Sequence, residues 1–272
     1  METVLSRSQV ARWRTAVFAI FLASGLSIAT WASRVPAIKA ALGIDNIQVG
    51  MLLLGMGVAS ILGLTASSAI LARFGARKGM LGALFFVVLG LVLIGVGTDY
   101  LHTYGVVLAG LALFGFGNGS LDVMMNVEGA AIEKQTGKTI LPLFHAFFSF
   151  GTVIGAGLGT AAAAIAFSVV AHTAIVAVVI AVLAVVTASN VPVRDVAMDV
   201  DAEDAPKGWG ERIRLALSAW KEPRTYTLGV IILGMAFAEG GANDWLSLAV
   251  VDDHGADPAL GPAALTVFSV AM

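Results

Sequence analysis

The sequence predicts an all-α fold, a polytopic transmembrane helical bundle with about seven complete spans and part of an eighth. Three observations carry that reading. Of the 272 residues, 58% are hydrophobic and only 12% are charged, where soluble domains average about 45–50% and about 25%. The few charges gather into short clusters, and the apolar stretches between them reach the roughly 20 residues that cross a bilayer. The basic residues fall on alternate connections. These features exclude a soluble globular domain and a disordered chain. The lack of Cys excludes a disulfide scaffold and a Cys-ligated metal site. A net charge of −2 offers no footprint for nucleic acid. No cofactor or metal is expected.

The spans follow as gaps between charges. The first is 15–33, between Arg14 and Arg34. It is longer than the apolar run of a signal peptide and more spans follow, so it reads as an uncleaved helix. The second is 46–72 and the third 79–98. The fourth, 103–127, contains one charge, Asp122. Residues 139–193 hold no Asp, Glu, Lys or Arg, and their 55 residues fit two spans joined near 166–172. A seventh fits 225–251, interrupted by Glu239 and Asp244. The last apolar stretch, 259–272, is too short to cross at 14 residues.

Orientation follows from Lys and Arg. With the N-terminus in the cytoplasm, 14 of the 16 basic residues face inward and only Arg34 and Lys39 face outward. The expected site is the inner (plasma) membrane. The chain divides into six spans over 1–191, a polar linker over 192–224 and an incomplete second part over 225–272. The linker is acidic over 194–207. Further on, Trp209, Ile213, Ala216, Leu217 and Trp220 share one helical face, which suits an interfacial or a plain linker helix. The seventh span faintly echoes the first: Ser24-Gly25 precedes Trp31-Ala32-Ser33, as Glu239-Gly240 precedes Trp245-Leu246-Ser247. A second half that begins like the first is a common carrier plan. Gly151, Gly155 and Gly159 form a ridge of small residues, as do Gly55, Ala59 and Gly63, and Gly115 with Gly119, letting helices approach closely.

A charge inside a bilayer costs about 2.5–3.5 kcal/mol on insertion scales, so intramembrane carboxyls mark sites. Asn118, Asp122 and Asn126 are spaced i, i+4, i+8 and form one polar stripe on the fourth span. Glu239 and Asn243 form a similar pair on the seventh. Asp122 and Glu239 are candidates to hold a proton or meet a solute, since desolvation disfavours a charged carboxyl. Asn118, Asn126 and Asn243 offer donors and acceptors to a hydroxylated solute. His145, one turn past Pro142, suits a ligand or an interfacial cap. Trp31 and Trp245 suit flat faces for a sugar or anchors in the interfacial belt. No HExxH, GxSxG or P-loop pattern is present, so no enzyme is expected. Glu133 and Lys134 read as a short cytoplasmic loop. No Lys lies in the seventh span to hold a retinal Schiff base.

The segment 68–78 resembles the cytoplasmic signature of the major facilitator superfamily. Arg73, Gly75, Arg77 and Lys78 fit it; Ser68 stands where Gly is usual, and Ala72 replaces the Asp that helps latch the family's cytoplasmic gate. Residues 117–126 and 145–155 are similar to the fourth and fifth spans of bacterial fucose-permease-like members, mostly proton-coupled sugar carriers. The resemblance implies alternating access between two six-helix halves, with a small polar solute and protons as partners. Members normally have twelve spans, so the sequence is expected to be C-terminally truncated, with the missing half needed for transport. The alternative is a non-transporting remnant or an assembly partner.

Overall fold

The first helix begins where the sequence supplies its own cap. Ser6 Oγ accepts the Gln9 N–H and the Gln9 side chain accepts the Ser6 N–H, a reciprocal pair that satisfies two otherwise open donors. In the computed structural model, which describes residues 6–193, 210, 214 and 218–271, α1 (Arg7–Ala32) is followed by the short α2 (Val35–Leu42), then α3 (Asn46–Asp99), α4 (Tyr104–Thr136), α5 (Leu141–Ala164), α6 (Val169–Ala188), α7 (Pro223–Asp252) and α8 (Leu260–Ala271). A 3-10 turn, Ala219–Lys221, precedes α7. The linker segment 194–209 lies outside the described residues, as do Ile213, Ala216 and Leu217 of the expected interfacial face; Trp220 is exposed.

Six of these helices are long and apolar enough to cross a membrane. At 54 residues, α3 is more than twice the length one crossing needs. It turns back at one residue: Gly75 has φ 72° and ψ 167°, a conformation essentially reserved for glycine. The two limbs, 46–74 and 76–99, supply the second and third spans. The expected loop at 73–78 is thus a single non-helical residue inside a continuous hydrogen-bonded run.

Capping side chains set the other boundaries. Asp45 and Gln48 repeat the reciprocal cap at the start of α3. At α6, Ser168 Oγ accepts the Ala171 N–H and the Asp99 carboxylate accepts the Val170 N–H at 2.7 Å. The fifth-to-sixth connection therefore covers 165–168, and His172 lies inside α6 rather than in the connection. Glu133 belongs to α4, which continues past the apolar stretch. Its carboxylate accepts the N–H groups of Ile140 and Leu141 at 2.6 and 2.8 Å and so caps α5.

Close glycine approaches fix the directions. On the α1–α5 face, Gly25 meets the Phe148 backbone, Gly151 meets Leu22 and Gly155 meets Leu26, so the two helices run parallel. Gly115 and Gly119 of α4 meet Met56 and Ser60 of the first limb in parallel order. Gly117 meets Ala83 and Gly110 meets Gly90 of the second limb in antiparallel order. The strands of the path therefore alternate. One end of the bundle, the near end, carries Arg7, Gly75 and Gly137. The other, the far end, carries Arg34, Asp99 and Phe167. The core between them is built from Trp13, Phe21, Phe114, Phe144, Leu121 and Met124, all at most 2% exposed. Phe18 and Phe21 pack on Phe144 with ring centroids 4.3 and 5.4 Å apart.

The last two helices join this bundle unevenly. α8 packs on α5, where Thr160 and Thr266 share a 3.1 Å hydrogen bond, and on α7, where Gly261 meets the Ser247 backbone. In α7 only Ser247 and Leu248 are buried, and the apolar side chains from Tyr226 to Phe237 are exposed.

Candidate functional site

The i, i+4, i+8 spacing on α4 produces what the helix repeat dictates, one line of polar side chains. Asn118 and Asn126 are half-buried and Asp122 is exposed. The line is held from three helices. Ser24 of α1 donates its hydroxyl to Asn118 Oδ1 at 2.9 Å. That fixes the amide with its NH₂ turned away from α1. Asn126 Nδ2 donates to the Asp122 backbone carbonyl at 2.9 Å and to its carboxylate at 3.3 Å. On α5, His145 Nε2 lies 3.2 Å from Asn126 Oδ1. Since the Asn126 amide has turned its NH₂ to Asp122, its oxygen receives the His145 N–H. An imidazole, an amide and a carboxylate thus form one chain across two helices. Phe21 packs edge-on against the His145 ring at 5.3 Å. Such a chain presents both donors and acceptors to a polar solute, and its two ends can each hold a proton.

The candidates on α7 stand apart from this chain. Glu239 is exposed and makes no hydrogen bond or ion pair among the described residues. Asn243 is half-buried, and Trp245, 38% exposed, lies beside Gly50 of α3. Trp31 is 2% exposed and packs edge-on to Phe114 at 6.3 Å, within the core at the far end. At the near end, Arg73 and Lys78 are exposed, Arg77 and Gly75 are half-buried, and the Arg73 guanidinium lies 5.5 Å from the Phe74 ring centroid.

Three further polar residues emerge only from the fold. Ser24, which positions Asn118, is 1% exposed. Glu128, one residue past the fourth span of the sequence reading, is fully buried and accepts the Trp13 indole N–H at 2.7 Å, joining α1 to α4 at the near end. Arg34 is 4% exposed at the far end, donating to the Phe167 carbonyl at 2.5 Å. Burial pulls its guanidinium below the ordinary arginine range, and the Asp99 carboxylate acts against that shift; the side chain stays cationic. The i, i+4 rule could not find these three, because each contact spans 94 to 133 residues of sequence.

Apolar helices of spanning length, with one polar line along α4, define a polytopic integral membrane protein. The model of the Major Facilitator Superfamily matches residues 16–272, and the chain belongs to that family. It is 28% identical over 254 residues to an uncharacterized MFS-type transporter of Yersinia pestis, covering 93% of this chain and 61% of that protein. It is 32% identical over 175 residues to the uncharacterized transporter y4wD of Sinorhizobium fredii, covering 64% of this chain and 45% of that one. The crystal structure of the nucleoside transporter NupG superposes with a TM-score of 0.64 at 15% identity, over 96% of this chain and 64% of NupG. The chain therefore spans less than two thirds of the length of these relatives.

Proposed function

We propose that the chain forms part of a proton-coupled secondary transporter for a small polar solute, a sugar being the class its side chains suit best. The observation that carries this is the hydrogen-bonded chain Asp122–Asn126–His145. Asp122 takes up and releases the proton. Asn118, Asn126 and His145 meet the solute's hydroxyl groups on the α4–α5 wall, and Asn243, Trp245 and Glu239 on α7 form the facing wall. The branch is the fucose-permease-like one, on the strength of residues 117–126 and 145–155.

In this reading residues 1–191 are one six-helix half, 192–224 a cytoplasmic linker and 225–272 the opening of a second half. The near end lies in the cytoplasm of a cell with the protein in its inner membrane, because 14 of 16 basic residues then face inward. Arg73, Gly75, Arg77 and Lys78 form the cytoplasmic gate. Solute crosses by rocking of one half against the other, so transport requires a complete second half.

The test is uptake in vesicles holding the full-length protein, with and without an inward proton gradient. The gradient should drive accumulation in the parent and not in Asp122→Asn. Accumulation unchanged by that substitution rejects Asp122 as the coupling group.

A further inference from the structure

At the far end several helix junctions meet around a partly open cavity of about 690 Å³. The α1–α2 turn brings Arg34 to its wall, α2 brings Ala37 and Lys39, and the α5–α6 turn brings Ser168. Two carboxylates complete its charges, Asp99 at the end of α3 and Asp252 at the end of α7. None of these residues belongs to the Asp122 line.

The charges on this wall are not matched one to one. Lys39 pairs with Asp252. Asp99 commits Oδ2 to the Val170 N–H at the start of α6. Arg34 has no such partner. It is 4% exposed, and Nη2 donates to the Phe167 carbonyl. Nε and Nη1 are buried with no acceptor among the described residues, and no carboxylate of those residues forms an ion pair with the guanidinium. Asp99 is near enough for its field to reach Arg34 but not to bond it. A guanidinium stays protonated throughout the physiological range. The fold therefore buries a full positive charge and leaves most of its N–H groups open, which is costly unless an anion completes the set. One hydrogen bond holds the group, so a small turn of the side chain brings the open N–H groups to the cavity. His172, one turn into α6, is also buried with both ring nitrogens unpartnered, and it lies close enough to Arg34 to feel its charge.

We infer that the far cavity is a binding site for a phosphate-type oxyanion, with Arg34 as its counter-charge. Donors reach the site from more than one side. The Arg34 guanidinium comes from the α1–α2 turn. From the α5–α6 turn comes the Ser168 hydroxyl, whose oxygen already accepts the Ala171 N–H and whose proton remains to donate. The start of α6 behind it adds the positive end of a helix dipole. Lys39 stands on the wall as a second cation, shared with Asp252. Donors from several directions suit a tetrahedral oxyanion better than a planar carboxylate. Asp99 and Asp252 oppose an anion and keep its binding weak. The phosphate is free in solution or carried by a lipid headgroup, since the cavity lies at the end of membrane-spanning helices.

The test is thermal unfolding of the full-length protein, solubilised in detergent and stripped of lipid, at constant ionic strength. The probes are millimolar inorganic phosphate and short-chain dihexanoyl phosphatidylglycerol below its micelle concentration, with sodium chloride as the reference. A ligand that binds only the folded state raises the midpoint, here by about 2–4 °C once it exceeds its Kd severalfold. At least one probe should stabilise the parent and leave Arg34→Gln unmoved. Phosphate acting alone assigns the free anion, phosphatidylglycerol alone assigns a lipid, and both together assign the phosphate group they share. Phosphate also strengthens burial in any protein, so the parent–variant difference is the readout. No shift in the parent with either probe, or equal shifts in parent and Arg34→Gln, overturn the site. If Arg34→Gln does not fold, Ala37→Glu replaces it. Its carboxylate, on a half-buried position of the wall, supplies the missing anion from within, so the shift should vanish. An unchanged shift in Ala37→Glu overturns the site as well. The readout needs no solute and no proton gradient, so it separates failure of this site from failure of proton coupling at Asp122.

Discussion

Replacing Gly155 by Ala places a methyl group where α1 already stands. A Cβ at that position would lie 2.7 Å from the Leu26 carbonyl oxygen and 2.9 Å from Ala29 Cβ. Ordinary contact begins near 3.4 Å, so α1 and α5 must part by about 0.7 Å. A gap of that size forfeits about a quarter to a half of each dispersion contact along the interface. The backbone carbonyl cannot swing aside as a flexible side chain would. Overpacking of this kind costs about 1–3 kcal/mol. Gly157, two residues on, has nothing within 4 Å of the corresponding methyl position. There Ala removes a flexible residue from a helix interior and gains about 0.5–1 kcal/mol. The two variants add the same methyl group to the same helix and should move stability in opposite directions. The assay is thermal unfolding of the detergent-solubilised protein, followed by tryptophan fluorescence and by retention on a sizing column. Gly155→Ala should unfold at lower temperature than the parent and Gly157→Ala at equal or higher temperature. Equal shifts for both would refute the parallel α1–α5 packing on which the bundle is built.

Other expectations follow from single contacts. Gly75→Ala forces a side chain into a glycine-only conformation at a cost of about 1–3 kcal/mol; the folded yield should fall, and a normal yield would refute the sharp turn. Glu128→Ala removes a buried acceptor of the Trp13 indole, a loss of about 1–3 kcal/mol, while Glu128→Gln keeps an acceptor and should lose less; chemical unfolding ranks the two. Ser24→Ala releases the Asn118 amide without touching Asp122, so the apparent affinity for solute should weaken while proton dependence persists. A changed proton dependence with unchanged affinity would contradict that assignment.

The spans were legible because the physics that makes them is local. Charges are excluded from hydrocarbon, so gaps between charges mark crossings, and a helix repeats every 3.6 residues, so Asn118, Asp122 and Asn126 had to align. The turn at Gly75 was legible as a place but not as a shape, since a glycine's φ cannot be read from its neighbours. The α5–α6 connection fell earlier than expected because Ser168 and the distant Asp99 cap α6. Glu133 read as part of a short cytoplasmic loop, and Glu128 fell one residue past the fourth span. Their roles, capping α5 and holding Trp13, come from packing that brings α4 against two other helices. Arg34 read as one more flanking cation, and only the fold shows it buried beneath the α5–α6 turn.

The central claim is that the α4 line faces water inside the protein. Single cysteines at Asn118, Asp122 and Asn126, each in a full-length protein from which any Cys outside residues 1–272 has been replaced by Ser, should react with small hydrophilic maleimides in membranes. Cysteines at Leu121 and Met124, which pack in the core, should stay silent. Reaction at Asp122→Cys with lipid-soluble reagents alone would turn the stripe toward the bilayer and contradict the account.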